Sequence, residues 1–236
     1  MVKRPIMEHR RHWIGAGIVA FVALMSACSS ERPQDTVDNP PTRQQTEASS
    51  KPKIVVLGDS ITAGYGLSRD QAFPALIQER LETEGYSYEV ANAGVPGDTT
   101  AGGVRRLDWV LDGDVRILIV ALGGNDGLRG LPVTEIRRNL STIVERALEH
   151  GALVLLTGME APPNHGEEYT SQFREAYREI SLEYDVALMP FLLEGVGGMA
   201  EFNQRDGIHP NEEGQALIAK QMWEVLRPLL ETGESL

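Results

Sequence analysis

From residue 53 onward, short apolar runs alternate with amphipathic stretches of helical period, and this alternation restricts the fold more than any other feature. Residues 53–57 (KIVVL), 87–91, 116–122 (RILIVAL), 152–156 (ALVLL) and 186–189 read as strands. Between them, Phe73, Leu76, Ile77 and Leu81 recur at three- and four-residue steps, as do Ile136, Leu140, Ile143, Val144 and Ala147. Residues 99–111, the stretch holding Phe173, Tyr177, Ile180 and Leu182, and residues 212–230 add further helices. Five strands and about five helices in alternation predict an α/β fold with one parallel sheet covered on both faces. The run at 116–122 is almost wholly apolar, as a central parallel strand must be. Trp109 and Trp223 fall in helices and are expected in the core.

In such folds ligands gather at the carboxyl ends of the strands. The residues there are polar and glycine-rich. Gly58-Asp59-Ser60-Ile61-Thr62-Ala63-Gly64-Tyr65-Gly66 follows the first strand, and Asn92-Ala93-Gly94-Val95-Pro96-Gly97-Asp98-Thr99 the second. Gly123-Gly124-Asn125-Asp126-Gly127 follows the third, and Asp206-Gly207-Ile208-His209-Pro210 precedes the last helix. All four are expected to converge.

Their chemistry fits nucleophilic catalysis. A serine hydroxyl needs a base within hydrogen-bond reach, and histidine is the usual one. Beyond residue 52 the histidines are His150, His165 and His209. His150 closes a helix, and His165 lies in a Pro/Asn/Gly loop near enough to contact a substrate but without an evident carboxylate partner. His209 has Asp206 three residues before it. Within a turn that carboxylate can hold one ring nitrogen and leave the other for Ser60, the orienter–base–nucleophile relation of a triad. The backbone N–H groups of Ser60 and Gly97, with the Asn125 side-chain amide, are candidate donors to an oxyanion. Gly94 competes with Gly97 for that role, and Gly97 is preferred. Asp59 and Asp126 are read as supports for their loops. Taken singly, the Gly-Asp-Ser segment also reads as a turn with an N-cap, and Asp206/His209 as half a metal site or a surface turn.

Together the four segments resemble the blocks of the SGNH (GDSL-like) hydrolases. GDSxTxGxG matches Gly58–Gly66, with Ile61 where the eponymous motif has Leu. PGDTT carries Gly97, GxND matches residues 123–126, and DxxHP matches Asp206–Pro210. GGNDGLRG (123–130) and PALIQERL are similar to the thioesterase I/lysophospholipase/arylesterase subgroup. The resemblance spans residues 53–232. It implies a flavodoxin-like three-layer α/β/α sandwich with sheet order 2-1-3-4-5. It also implies Ser60 as nucleophile, His209 as base, Asp206 as its orienter, Gly97 and Asn125 as oxyanion donors, and no metal or organic cofactor. Ser60 is not in a G-x-S-x-G elbow, which speaks against the ordinary α/β-hydrolase fold. The glycines fit neither a dinucleotide fingerprint nor a Walker loop.

The first 52 residues read differently. Lys3, Arg4, Arg10 and Arg11 precede an uninterrupted apolar and small run at 13–25, too short to span a bilayer and typical of a secretory signal. Ser26-Ala27-Cys28 then resembles a bacterial lipobox, with Met25 at −3 and Leu24 at −4. The expected division is a signal peptide over 1–27, a tether over 28–52 and a hydrolase domain over 53–236. Cys28 is the expected lipid attachment site, which would hold the protein on a membrane facing the periplasm. A plain signal peptide with a soluble periplasmic or secreted product is the alternative. The tether is too polar to bury a core. Residues 1–52 hold 7 basic and 5 acidic side chains, and the rest 15 and 29. The net charge of −12 argues against nucleic-acid binding. One cysteine excludes an internal disulfide framework.

The expectation is a monomeric serine esterase acting on small-molecule or lipid acyl esters: aryl and alkyl esters, thioesters or lysophospholipids. Leu128, Leu131, Ala161 and Pro162 are candidates to line an acyl groove. A carbohydrate O-acetyl esterase is the alternative. A catalytically inactive lipid-anchored binding protein is a third reading.

Overall fold

The computed structural model describes residues 51–233. The signal segment, Cys28 and nearly all of the tether lie outside the described residues. Five strands form one sheet: β1 (Lys53–Gly58), β2 (Glu89–Gly94), β3 (Val115–Ala121), β4 (Leu153–Thr157) and β5 (Ala187–Met189). Every pairing is parallel, and the order is β2-β1-β3-β4-β5, as expected. The helices are α1 (Ser60–Ala63), α2 (Phe73–Thr83), α3 (Thr100–Val110), α4 (Gly124–Leu128), α5 (Val133–Glu149), α6 (Glu167–Tyr184) and α7 (Glu212–Gly233).

Helix α2 packs on α7, while α3 packs on α5 and α5 on α6, so two helical layers enclose the sheet. The apolar stripe of α5 (Ile136, Leu140, Ile143, Val144 and Ala147) is wholly buried. Ile117 to Ala121 are buried along β3, covered from both sides. Register places the site. Gly58 at the end of β1 pairs with Gly94 of β2 and Ala121 of β3. Three strands therefore end level, and their polar loops begin side by side.

Three expectations need correction. Strand β2 lies not at 87–91 but at Glu89–Gly94. Gln78 fixes its entry, donating to the Tyr88 carbonyl and accepting from Val90 N–H. Pairing with β1 then carries it through Asn92 to Gly94 despite their weak strand propensity. Seven α-helices appear among the described residues, because α1 and α4 are too short to show an apolar period. Trp223 is buried, but Trp109 is 71% exposed. Helix α3 buries Thr100, Gly102, Gly103, Leu107 and Val110, and Trp109, two residues from Leu107, falls off that face.

Candidate active site

The chain passes from β1 through Asp59 straight into α1. The Asp59 side chain caps α1 by accepting the N–H of Ile61. That cap sets Ser60 at the first helical position, where a helix leaves its N–H groups without intrahelical partners. The loop before α7 comes back over this turn. Gln204 sews the two together, its Nε2 donating to the carbonyls of Tyr65 and Pro210. Buried Gln215 of α7 adds a second stitch, donating to the Ile61 carbonyl and accepting from Phe73 N–H.

These contacts bring three expected residues into line. His209 Nε2 lies 3.0 Å from Ser60 Oγ, and His209 Nδ1 lies 2.8 Å from Asp206 Oδ2. The other Asp206 oxygen accepts the N–H groups of Ile208 and His209 at 2.9 and 3.0 Å. With Nδ1–H donated to Asp206, Nε2 is free to accept the serine proton. The His209 N–H, the His209 ring and the Ile208 N–H, in that order, pull the Asp206 carboxyl down to about 2. It is a carboxylate throughout the neutral range. The Tyr65 ring sits 4.8 Å from the imidazole at 41°.

The third loop begins at α4. Asn125 Nδ2 donates to Asp59 Oδ2 at 3.0 Å, which aims the amide at the Ser60 turn. Asp59 is 2% exposed, and burial raises its carboxyl to about 6 against the opposing pull of Ile61 N–H and Asn125. Asp126, also buried, points the other way. It accepts Thr100 N–H and Oγ–H at 2.9 and 2.7 Å, tying α4 to the start of α3. Burial lifts its carboxyl too, against the Thr100 bonds.

Ser60, Gly97, Asn125, Asp206, His209 and Asp59 all line one cavity of about 610 Å³. Asp126 does not. Gly97 faces the cavity in a left-handed conformation (φ 79°), whereas Gly94 belongs to β2 and lies outside it. Ile61, Tyr65, Pro96, Leu128, Met159, Pro162, Leu193 and Ile208 supply most of the remaining wall. Of the expected groove residues, Leu128 and Pro162 are there. Leu131 packs against the core, and Ala161 is buried. His165 also misses the cavity. It packs on Tyr169, ring centroids 5.2 Å apart. No group of three or more His, Cys, Asp or Glu side chains among the described residues is placed to hold a metal ion. The sequence gives no signal for Gln204 or Gln215, because their roles rest on contacts 139 to 154 residues away.

Such an array can abstract a hydroxyl proton and stabilise negative charge beside it. The GDSL-like lipase/acylhydrolase family model matches residues 56–217. The chain belongs to this family. It is 42% identical over 186 residues to the esterase TesA of Pseudomonas aeruginosa, covering 78% of this chain and 92% of that one. It is 36% identical over 184 residues to thioesterase 1/protease 1/lysophospholipase L1 of Escherichia coli K12, covering 78% and 87%. The psychrotrophic esterase EstA from Pseudoalteromonas sp., inhibited by monoethylphosphonate, superposes with a TM-score of 0.72 at 32% identity, over 76% of this chain and 98% of that one.

Proposed function

We propose that this GDSL-family ester hydrolase works by two-step acyl transfer through Ser60. His209 Nε2 takes the Ser60 proton as Oγ attacks the ester or thioester carbonyl carbon. The negative oxygen so formed accepts hydrogen bonds from the N–H groups of Ser60 and Gly97 and from the Asn125 amide. Protonated His209, held by Asp206, gives its proton to the departing alcohol or thiol. Water, deprotonated by the same His209, then attacks the acyl-serine, and as the acyl–oxygen bond breaks His209 returns the proton to Ser60 Oγ and the acid is released. The observation that carries this reading is the chain of contacts Ser60 Oγ–His209–Asp206 at 3.0 and 2.8 Å inside the cavity.

The apolar wall favours acyl esters and thioesters over sugar acetates, and the named relatives point the same way. We further propose export by the basic-apolar leader and attachment through Cys28. Palmitate labelling that disappears in Cys28→Ala tests that part.

The catalytic reading is tested with the full chain on p-nitrophenyl esters of two to sixteen carbons, alongside Ser60→Ala. A phosphonate ester is applied in parallel and its adduct located by mass spectrometry. The expected result is hydrolysis lost in Ser60→Ala and a single phosphonylated residue, Ser60. Activity surviving in Ser60→Ala overturns the assignment.

A further inference from the structure

Arg106 of α3 lies behind the two turns that carry the main-chain oxyanion donors. Its Nε donates to Asp98 Oδ2 at 2.8 Å, its Nη1 to the Ala93 carbonyl at 2.7 Å, and its Nη2 to the Gly58 carbonyl at 2.9 Å. The pair is largely enclosed, with the Arg106 and Asp98 side chains 17% and 10% exposed. One planar guanidinium thus joins three points on two segments. Gly58 immediately precedes Asp59 and Ser60, and Asp98 immediately follows Gly97. The same Gly58 carbonyl also accepts Val95 N–H, and Asp98 N–H closes the turn onto the Val95 carbonyl. Arg129 Nη2 also donates to the Gly97 carbonyl at 3.0 Å.

We propose that Arg106 is a positioning residue, which locks the Val95–Asp98 turn to the end of β1 so that the Gly97 and Ser60 N–H groups converge on one oxygen. The inference rests on the acyl-transfer reading above. Arg106 lines no part of the cavity, so its influence falls on the transition state and not on substrate binding. Lysine is a poor substitute. A single ammonium cannot present three donors in the plane that Asp98, Ala93 and Gly58 define.

The test uses the full chain with Arg106→Met and Arg106→Lys. Four quantities are read: the melting temperature, kcat and KM on p-nitrophenyl butyrate, the affinity for an alkyl boronate, and the phosphonylation of Ser60. A boronate adduct on serine places an oxygen where the oxyanion forms. The expected result is a kcat lower by about 10- to 100-fold with KM within about twofold. Boronate affinity falls in step with kcat, and Arg106→Lys recovers part of both. Arg106→Met unmasks a buried Asp98. If it does not fold, Arg106→Lys decides. A folded Arg106→Lys with wild-type kcat and boronate affinity, or with the loss confined to KM, overturns the inference alone. Wild-type chain that takes no phosphonate at Ser60 overturns the acyl-transfer reading and this inference with it.

Discussion

Asp59 and Asn125, 66 positions apart, share a hydrogen bond of 3.0 Å from Asn125 Nδ2 to Asp59 Oδ2. It links the turn that presents Ser60 to the helix that presents the proposed side-chain donor. The bond is made by a carboxylate enclosed on nearly every side, and enclosure raises its proton affinity.

Stability should therefore depend on pH through Asp59. Its carboxyl titrates near 6 in the fold against 3.8 ordinarily. The folded state binds the proton more tightly than the unfolded chain. The stability this group contributes is fully present below 3.8 and is lost as pH rises through 6. The shift corresponds to roughly 3 kcal/mol. In urea unfolding, wild type minus Asp59→Asn should change by about that order between pH 4 and pH 8, with wild type gaining toward acid. Costs of the substitution that do not titrate cancel in this comparison. A difference that stays flat across the range rules the assignment out.

Asp206 divides its work between two oxygens: Oδ1 holds the turn, and Oδ2 holds the ring. Asp206→Asn keeps an acceptor for the turn but sets an amide NH₂ against Nδ1–H. It should lower the melting temperature less than Asp206→Ala does, while kcat falls by about 10²- to 10⁴-fold. Asp206→Ala should lose both. The sign for pH is opposite to that of Asp59. With its carboxyl held at about 2, Asp206 contributes stability above 3.8 that is lost as pH falls toward 2. Any loss of activity above pH 4 then has another source. Equal melting-temperature losses in the two variants would refute the division of labour.

Much of this was legible in the sequence, for identifiable reasons. The apolar runs of β1, β3 and β4 needed only burial on both faces to declare themselves. Ser60, Asn125 and His209 could be read because each follows or precedes a regular element within a few residues. Helices α1 and α4 could not, since four and five residues hold no period. Arg106, Gln204 and Gln215 were equally hidden. Each donates to a carbonyl 48 or more residues away, and nothing in the residue type announces such a bond. Trp109 misled because a large aromatic ring suggests burial, whereas the face of α3 is set by Leu107 and Val110.

Two glycines near the second loop should respond differently to alanine. At Gly97 a Cβ meets open space, but φ is 79°. Gly97→Ala therefore costs about 1–2 kcal/mol of backbone strain. That strain can be relieved by turning the peptide, so the protein folds and kcat drops. At Gly94 a Cβ would stand 2.3 Å from the Ala63 backbone nitrogen and 2.9 Å from the Asp59 carbonyl oxygen. Backbone on both sides cannot move aside, so Gly94→Ala should chiefly lower the melting temperature. A folded Gly97→Ala with full kcat would move the donor role away from residue 97.

Chain-length preference should reside in Leu128 and Ile208, which line the cavity yet are each 51% exposed. Their free area is available to an acyl chain, at about 25 cal/mol per Å² removed from water. Leu128→Ala should lower kcat/KM on a ten-carbon ester by roughly 5- to 10-fold, about 1 kcal/mol, and leave the acetate nearly unchanged. The acetate control matters because Leu128 shares α4 with Asn125. Disturbance of the helix would slow both substrates alike. A uniform fall would assign Leu128 to holding Asn125 in place, and the acyl contact would then have to come from other lining residues such as Ile208 or Leu193.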